Sequence, residues 1–338
     1  MFVANTDWFS RPECRKRIVL FNFQLQTKHN PMMRSKLALA LIVGLSFHGI
    51  CSAQDGSTAV ALEAVGDRFP IHITYFPANP DAGPPKDAPV VVIVPDLEET
   101  RIAWDKGAGP RNAPKTLPAE LQQRGYAVIT VDLRKSGESV IEGREEPIRP
   151  TDYERMVLGD LEAVKEFIFT LHQEQKLNMR KLGVIGSGLG APIAAGFAEF
   201  DWKRKPFDDH AIPAERTPRG QDVRAIVMIS PKTSAGKVHS NRAIGFLKNP
   251  RMNISLMVIV GQDDTQNYRN AKAIFNTFAV VKANEDRAVF LEPRLKDSGI
   301  GLLQQRIEIA YTPILTFLDN RLKSINDPWV DRRSRLQR

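Results

Sequence analysis

Six stretches of the chain are apolar at nearly every position, and helical stripes separate them. They are Pro89–Val94 ("PVVVIV"), Tyr126–Val131 ("YAVITV"), Leu182–Ile185, Val223–Ile229 ("VRAIVMI"), Ile254–Val260 ("ISLMVIV") and Arg287–Leu291 ("RAVFL"). Short continuous runs rich in β-branched residues predict strands buried on both faces, as in a parallel sheet. Pro70–Pro77 ("PIHITYFP") alternates instead and predicts a more exposed strand. Across 152–175, Met156, Val157, Leu161, Val164, Phe167, Ile168 and Leu171 fall on one helical stripe. Further helices are predicted at 117–124, 191–200, 267–281 and 302–322. This alternation predicts one α/β domain with a doubly wound, mostly parallel sheet and helices on both faces. Ala78–Ala88 reads as a loop. A polar segment with three prolines, 201–222, reads as an insertion between a helix and the next strand.

The first residues follow another logic. A basic segment (Met33-Arg34-Ser35-Lys36) precedes an apolar run (Leu37–Ile50) and the small-residue run Cys51-Ser52-Ala53. That order predicts a signal peptide over 33–53 and an exported protein with no stable membrane span after cleavage. Residues 1–32 read as an over-extended N-terminus, with Met1, Met32 and Met33 all possible starts. The domain is then 54–325, followed by a basic tail at 326–338.

This division changes the charge picture. Of the formal +8, residues 1–32 carry +3 and the signal segment +2, which leaves +3 for the rest. The last 18 residues hold six basic and two acidic side chains, so the body is near neutral. The tail reads as a solvated end, and no nucleic-acid partner is expected. Both cysteines, Cys14 and Cys51, lie in the segments expected to be lost, so neither disulfide nor thiol chemistry is expected.

The candidate chemistry sits in "KLGVIGSGLGAPIAAGFA", 181–198, a strand, a glycine-rich turn and a small-residue helix. Gly186-Ser187-Gly188-Leu189-Gly190-Ala191 satisfies the dinucleotide pattern G-x-G-x-x-A, in which bare amides meet a pyrophosphate. That reading needs a second strand ending in an acid about 20 residues on. The helix runs instead into Asp201-Trp202-Lys203-Arg204-Lys205-Pro206. The same turn also fits four of the five positions of a nucleophile elbow, G-x-S-x-G, with Gly188 at the nucleophile's place.

The neighbouring segments favour the elbow. The run 121–139 ("LQQRGYAVITVDLRKSGES") resembles the α/β-hydrolase segment L-x-x-R-G-Y-x-V-x-x-x-D-x-R-G-x-G-x-S. Gly159-Asp160-Leu161-Glu162 resembles the helix before the elbow strand, and Val260-Gly261-Gln262-Asp263-Asp264 the strand end that carries the acid. The resemblance covers roughly 65–320 and is nearest to serine esterases and aminopeptidase-like members. It implies oxyanion-hole amides at Leu97 and Leu189 and an acid position at Asp264. It also requires a histidine after the last strand, and 292–303 has none; no histidine follows His239 at all. The family's His-Gly after the "VVVIV" strand is here Pro95-Asp96.

Three functional expectations remain open. One is a hydrolase-fold protein without Ser-His-Asp chemistry, binding a small molecule or a protein partner. Another is an ester or peptide hydrolase with a rearranged site, drawing on Ser187, His239 and Ser298. A dinucleotide-binding protein through Gly186 and Gly188 is a third. No cofactor is called for, and the acids Asp96, Glu98, Glu99, Asp263 and Asp264 lack metal-ligand spacing. Asp264 alternatively caps the helix from Asn267.

Overall fold

The computed structural model describes residues 56–110, 115–144 and 146–338. The expected signal peptide and early N-terminus, with both cysteines, lie outside them. Eight strands form one sheet: β1 (Thr58–Glu63), β2 (Pro70–Phe76), β3 (Val90–Val94), β4 (Ala127–Asp132), β5 (Leu182–Ser187), β6 (Val223–Ile229), then, after the two-residue strands β7 (Ser234–Ala235) and β8 (Val238–His239), β9 (Ser255–Ile259) and β10 (Ala288–Leu291). Their spatial order is β1-β2-β4-β3-β5-β6-β9-β10. β2 runs antiparallel to both β1 and β4, and every later pairing in the sheet is parallel. β7 and β8 form a separate small hairpin.

The helices are α1 (Arg101–Gly107), α2 (Leu117–Gln123), α3 (Pro150–Arg155), α4 (Leu161–Gln173), α5 (Gly190–Lys203), α6 (Ser240–Leu247), α7 (Tyr268–Ala279), α8 (Ile300–Leu303) and α9 (Tyr311–Leu318). The stripe at 152–175 is one helical path whose middle, Met156–Asp160, widens into a π-turn. The helix expected over 302–322 is interrupted, with α8 and α9 as separate pieces.

The "VVVIV" run shows why continuous apolar strands fit this sheet. Val90, Val92 and Val94 belong to the core on one face, Val91 and Ile93 to the core on the other. Each face carries its own helices, so both parities of the strand are removed from water.

The residues that match the hydrolase segment hold the sheet's carboxyl edge together. The Asp132 carboxylate accepts the amides of Arg101 at 2.7 Å and Glu138 at 3.1 Å. Arg134, 1% exposed at its side chain, is clasped by Asp160 and Asp67. Ser139 Oγ donates to the Asp132 carbonyl and accepts from His72 N.

Residues 326–338 fold back over the opposite edge. Asp327 pairs with Arg180 and Arg224, and Asn178 Nδ2 donates to its carbonyl. Trp329 Nε1 donates to the His172 carbonyl at 2.7 Å, and Arg332 pairs with buried Asp222 at 2.6 Å. Asp209, in the 201–222 insertion, accepts the amide of Arg335. The sequence expectation of a solvated tail is corrected: Arg332 and Arg335 meet Asp222 and Glu215 of the 201–222 insertion, and Arg180 and Arg224 reach Asp327 of the tail.

His172 is sealed by this strap and is fully buried. Its Nε2 faces the Val330 carbonyl at 2.9 Å, and its Nδ1 lies 3.3 Å from Met179 N and 3.2 Å from the Leu177 carbonyl. Burial holds its pKa below the ordinary 6.5, against the raising effect of the two carbonyls and of Asp222. On acidification the unfolded chain therefore takes up a proton before the folded one does. Stability is expected to fall as pH drops from about 6.5 toward the lower folded value, by at most about 1.4 kcal/mol per pH unit. Urea midpoints measured between pH 8 and 5.5 should show this loss in the wild type and less of it in His172→Gln. Equal slopes in the two proteins would rule out His172 as the source.

Candidate functional site

β5 lies between β3 and β6 at the centre of the sheet, and its carboxyl end delivers the glycine-rich turn. Gly188 sits at the apex with φ +50°, in the left-handed region where a side chain is strained. Its amide donates to the Ile229 carbonyl at 3.0 Å, and its carbonyl accepts from Lys232 N at 3.1 Å. α5 starts two residues later. There the backbone approaches so closely that a Cβ on Gly190 would fall on the carbonyl oxygens of Val94 and Pro95. The turn has an elbow's shape without an elbow's nucleophile.

The loop from β3 to α1 faces this turn and brings Asp96 to it. One carboxylate oxygen, Oδ1, accepts the amides of Leu97 at 2.7 Å and Leu189 at 3.1 Å. The other, Oδ2, occupies the volume a Cβ on Gly188 would need. Two backbone amides converging on one oxygen from these two loops have oxyanion-hole geometry. Here the oxygen they hold is the protein's own. Burial pushes the Asp96 pKa up, and the hydrogen bonds from Leu189 and Leu97 pull against that rise.

A second acid of the same loop ties it to the segment after the last strand. Glu99 Oε2 accepts Trp104 Nε1 at 2.7 Å, and its Oε1 accepts Ile300 N at 3.1 Å. Gly299 N donates to Ser230 Oγ at 3.1 Å. The stretch that would carry a catalytic histidine is thus packed against the β3–α1 loop by Glu99 and against the end of β6 by Ser230.

The other candidates do not assemble. Ser187 Oγ is buried without a hydrogen-bond partner, and a Cβ on Gly299 would stand 3.1 Å from it. His239 and Ser298 are exposed. The Asp264 carboxylate accepts the backbone and side-chain amides of Asn267 at 3.1 and 2.7 Å, in the turn that leads into α7. No hydrogen bond or ion pair among the described residues links His239 to Ser187, Ser298 or Asp264. No group of three or more metal-ligating side chains occurs among the described residues.

The strand order, the elbow and the two converging amides can be set beside known structures. The esterase of Pyrococcus furiosus superposes with TM-score 0.54 and 15% identity over 79% of this chain and 91% of its own. A dienelactone hydrolase from Anabaena variabilis gives 0.50 and 16% over 77% and 94%. The Pyrococcus horikoshii acylaminoacyl peptidase gives 0.53 and 11% over 81% of this chain. This is the α/β-hydrolase fold. The chain spans 43% of the horikoshii peptidase and 36% of a dipeptidyl aminopeptidase IV-type protein from Bacteroides ovatus. No protein-family model matches the sequence, and no curated protein does. The likeness is one of fold.

Gly188, Leu97 and Leu189, expected as site positions from the resemblance, lie together around Asp96; the contacts of Asp96 and Glu99 were not read from the sequence. The signal for Asp96 was present: an acid stands in the pair of positions where the resemblance expects His-Gly. What pairwise spacing could not supply is that this acid reaches across to the elbow.

Proposed function

We propose that this chain is a hydrolase-fold protein that performs no acyl transfer and acts by binding, in the compartment its expected signal peptide would reach. The observation that carries this reading is the Asp96 carboxylate. It occupies both amides of the oxyanion hole and the space of the missing nucleophile's side chain. An acyl-transfer transition state develops negative charge in that hole. A resident carboxylate excludes it sterically and, when ionised, repels it. The absence of a hydroxyl at position 188 and of a histidine at 292–303 supports the same reading.

The test is labelling of the purified protein with a fluorophosphonate probe, alongside turnover of p-nitrophenyl acetate. Neither is expected above the level of denatured protein. Labelling that Ser187→Ala abolishes would overturn the proposal in favour of a rearranged serine hydrolase.

A further inference from the structure

A cavity of about 630 Å³ lies away from the elbow. It opens over the carboxyl end of β4, where Arg134 and Lys135 come just after Leu133, and its walls include Val140, Ile141, Arg144, Pro147, the start of α3 and Phe69. A volume of this size suits a small organic ligand. Its polar lining is lopsided. Among the described residues, Arg134, Lys135, Arg144, Arg149 and Arg155 face it against two acids, Glu146 and Asp152.

Two of these cations are already committed. Arg134 is held by Asp160 and Asp67, and Lys135 Nζ donates to Asp152 at 2.8 Å and to the Pro147 carbonyl at 3.1 Å. They make a fixed floor. The arginines above them are paired only at long range among the described residues. Arg149 comes no nearer than 3.6 Å to Glu146, and Arg155 no nearer than 3.8 Å to Asp67 and 3.9 Å to Asp152, beyond hydrogen-bond length. Their side chains are 67% and 59% exposed, and Arg144 has no ion pair among the described residues. Guanidinium N–H groups in forked pairs suit a carboxylate or other oxyanion.

The same cavity is lined by apolar side chains that water reaches. Val140 and Ile141 are 44% and 40% exposed, and Phe69 and Pro147 lie with them. These aliphatics give the concave site an apolar side. Loosely paired, exposed arginines beside them suit a ligand with one anionic end and one apolar body.

We propose that this pocket binds an amphipathic small-molecule anion, its oxyanion on Arg149 and Arg155 and its apolar body on Val140, Ile141 and Phe69. The probe is sodium decanoate, titrated calorimetrically into the purified protein. Decyltrimethylammonium carries the same chain with the opposite charge, and inorganic phosphate has an oxyanion with no chain. Saturable binding of decanoate is expected, at least tenfold tighter than either control. Arg149→Gln/Arg155→Gln should weaken it at least tenfold with thermal unfolding unchanged. Val140→Asp, independent of the arginines, should also weaken it at least tenfold and decides the matter if the double variant fails to fold. Absence of saturable heat, equal binding of decyltrimethylammonium or phosphate, or wild-type affinity in the folded variants would each overturn the proposal. The elbow does not enter this experiment, so such a failure would leave the reading of Asp96 standing.

Discussion

Gly188→Ser is expected to destabilise the protein by roughly 2–5 kcal/mol, the sum of two costs. A residue with a Cβ in the left-handed region loses about 1–2 kcal/mol. Forcing extra atoms into a packed site costs typically 1–3 kcal/mol. For a domain of this size that lowers the unfolding temperature by about 4–20 °C. The clash has one identifiable partner, because the new Cβ would fall within the Asp96 carboxylate. To make room, Asp96 must swing away and release the amides of Leu97 and Leu189. Asp96→Gly in the same chain should therefore recover the packing part of the loss and leave the backbone part. A double-mutant cycle should give a favourable coupling of about 1 kcal/mol or more. Additive effects, or a Gly188→Ser protein as stable as the wild type, would mean that Asp96 does not fill the nucleophile's space. The double variant should still fail to react with a fluorophosphonate, since a hydroxyl and an open hole without an imidazole lack the general base.

The same pair of residues shows where sequence reading succeeds and stops. Strands such as Val90–Val94 were legible because burial on both faces leaves a continuous apolar run. The motif residues Asp132, Arg134, Ser139 and Asp160 were legible as a resemblance, and the structure gives its physical basis. They clasp the sheet's carboxyl edge, a structural task independent of any reaction at the elbow. β1, Thr58–Glu63, and α1, Arg101–Gly107, were missed. β1 is an edge strand alternating between partial and full exposure, and α1 buries only Arg101 and Trp104, so neither writes a strong apolar pattern. The site was half legible. Gly188 and the absent histidine can be read along the chain. The contact of Asp96 with Leu189, 93 positions away, exists only after β3 and β5 pair side by side.

The C-terminal strap escaped for a related reason, and it carries the second large effect. Lys165, Asp201, Asp222 and Arg332 form a cluster in which every member is nearly or fully buried. Lys165 is paired with both acids, and Arg332 Nη1 reaches Asp222 at 2.6 Å while its Nη2 donates to the Gly220 carbonyl at 3.0 Å. Arg332→Ala leaves two buried carboxylates facing one ammonium group. Removing one partner of a buried pair costs about 3–5 kcal/mol. Ending the chain after residue 325 should cost at least as much, since it also strips Trp329 and the Val330 carbonyl from His172. The two variants differ in one diagnostic way. With the strap gone, His172 meets water and its pKa returns toward 6.5, so the loss of stability on acidification from pH 8 to 5.5 should flatten. With Arg332→Ala the strap remains over His172, and that acid sensitivity should persist. Urea titrations of both variants across this pH range measure the two quantities together. A truncated chain as stable as the wild type would refute a structural role for the strap. A truncated chain that keeps the full acid sensitivity would show that burial under the strap does not set the His172 pKa.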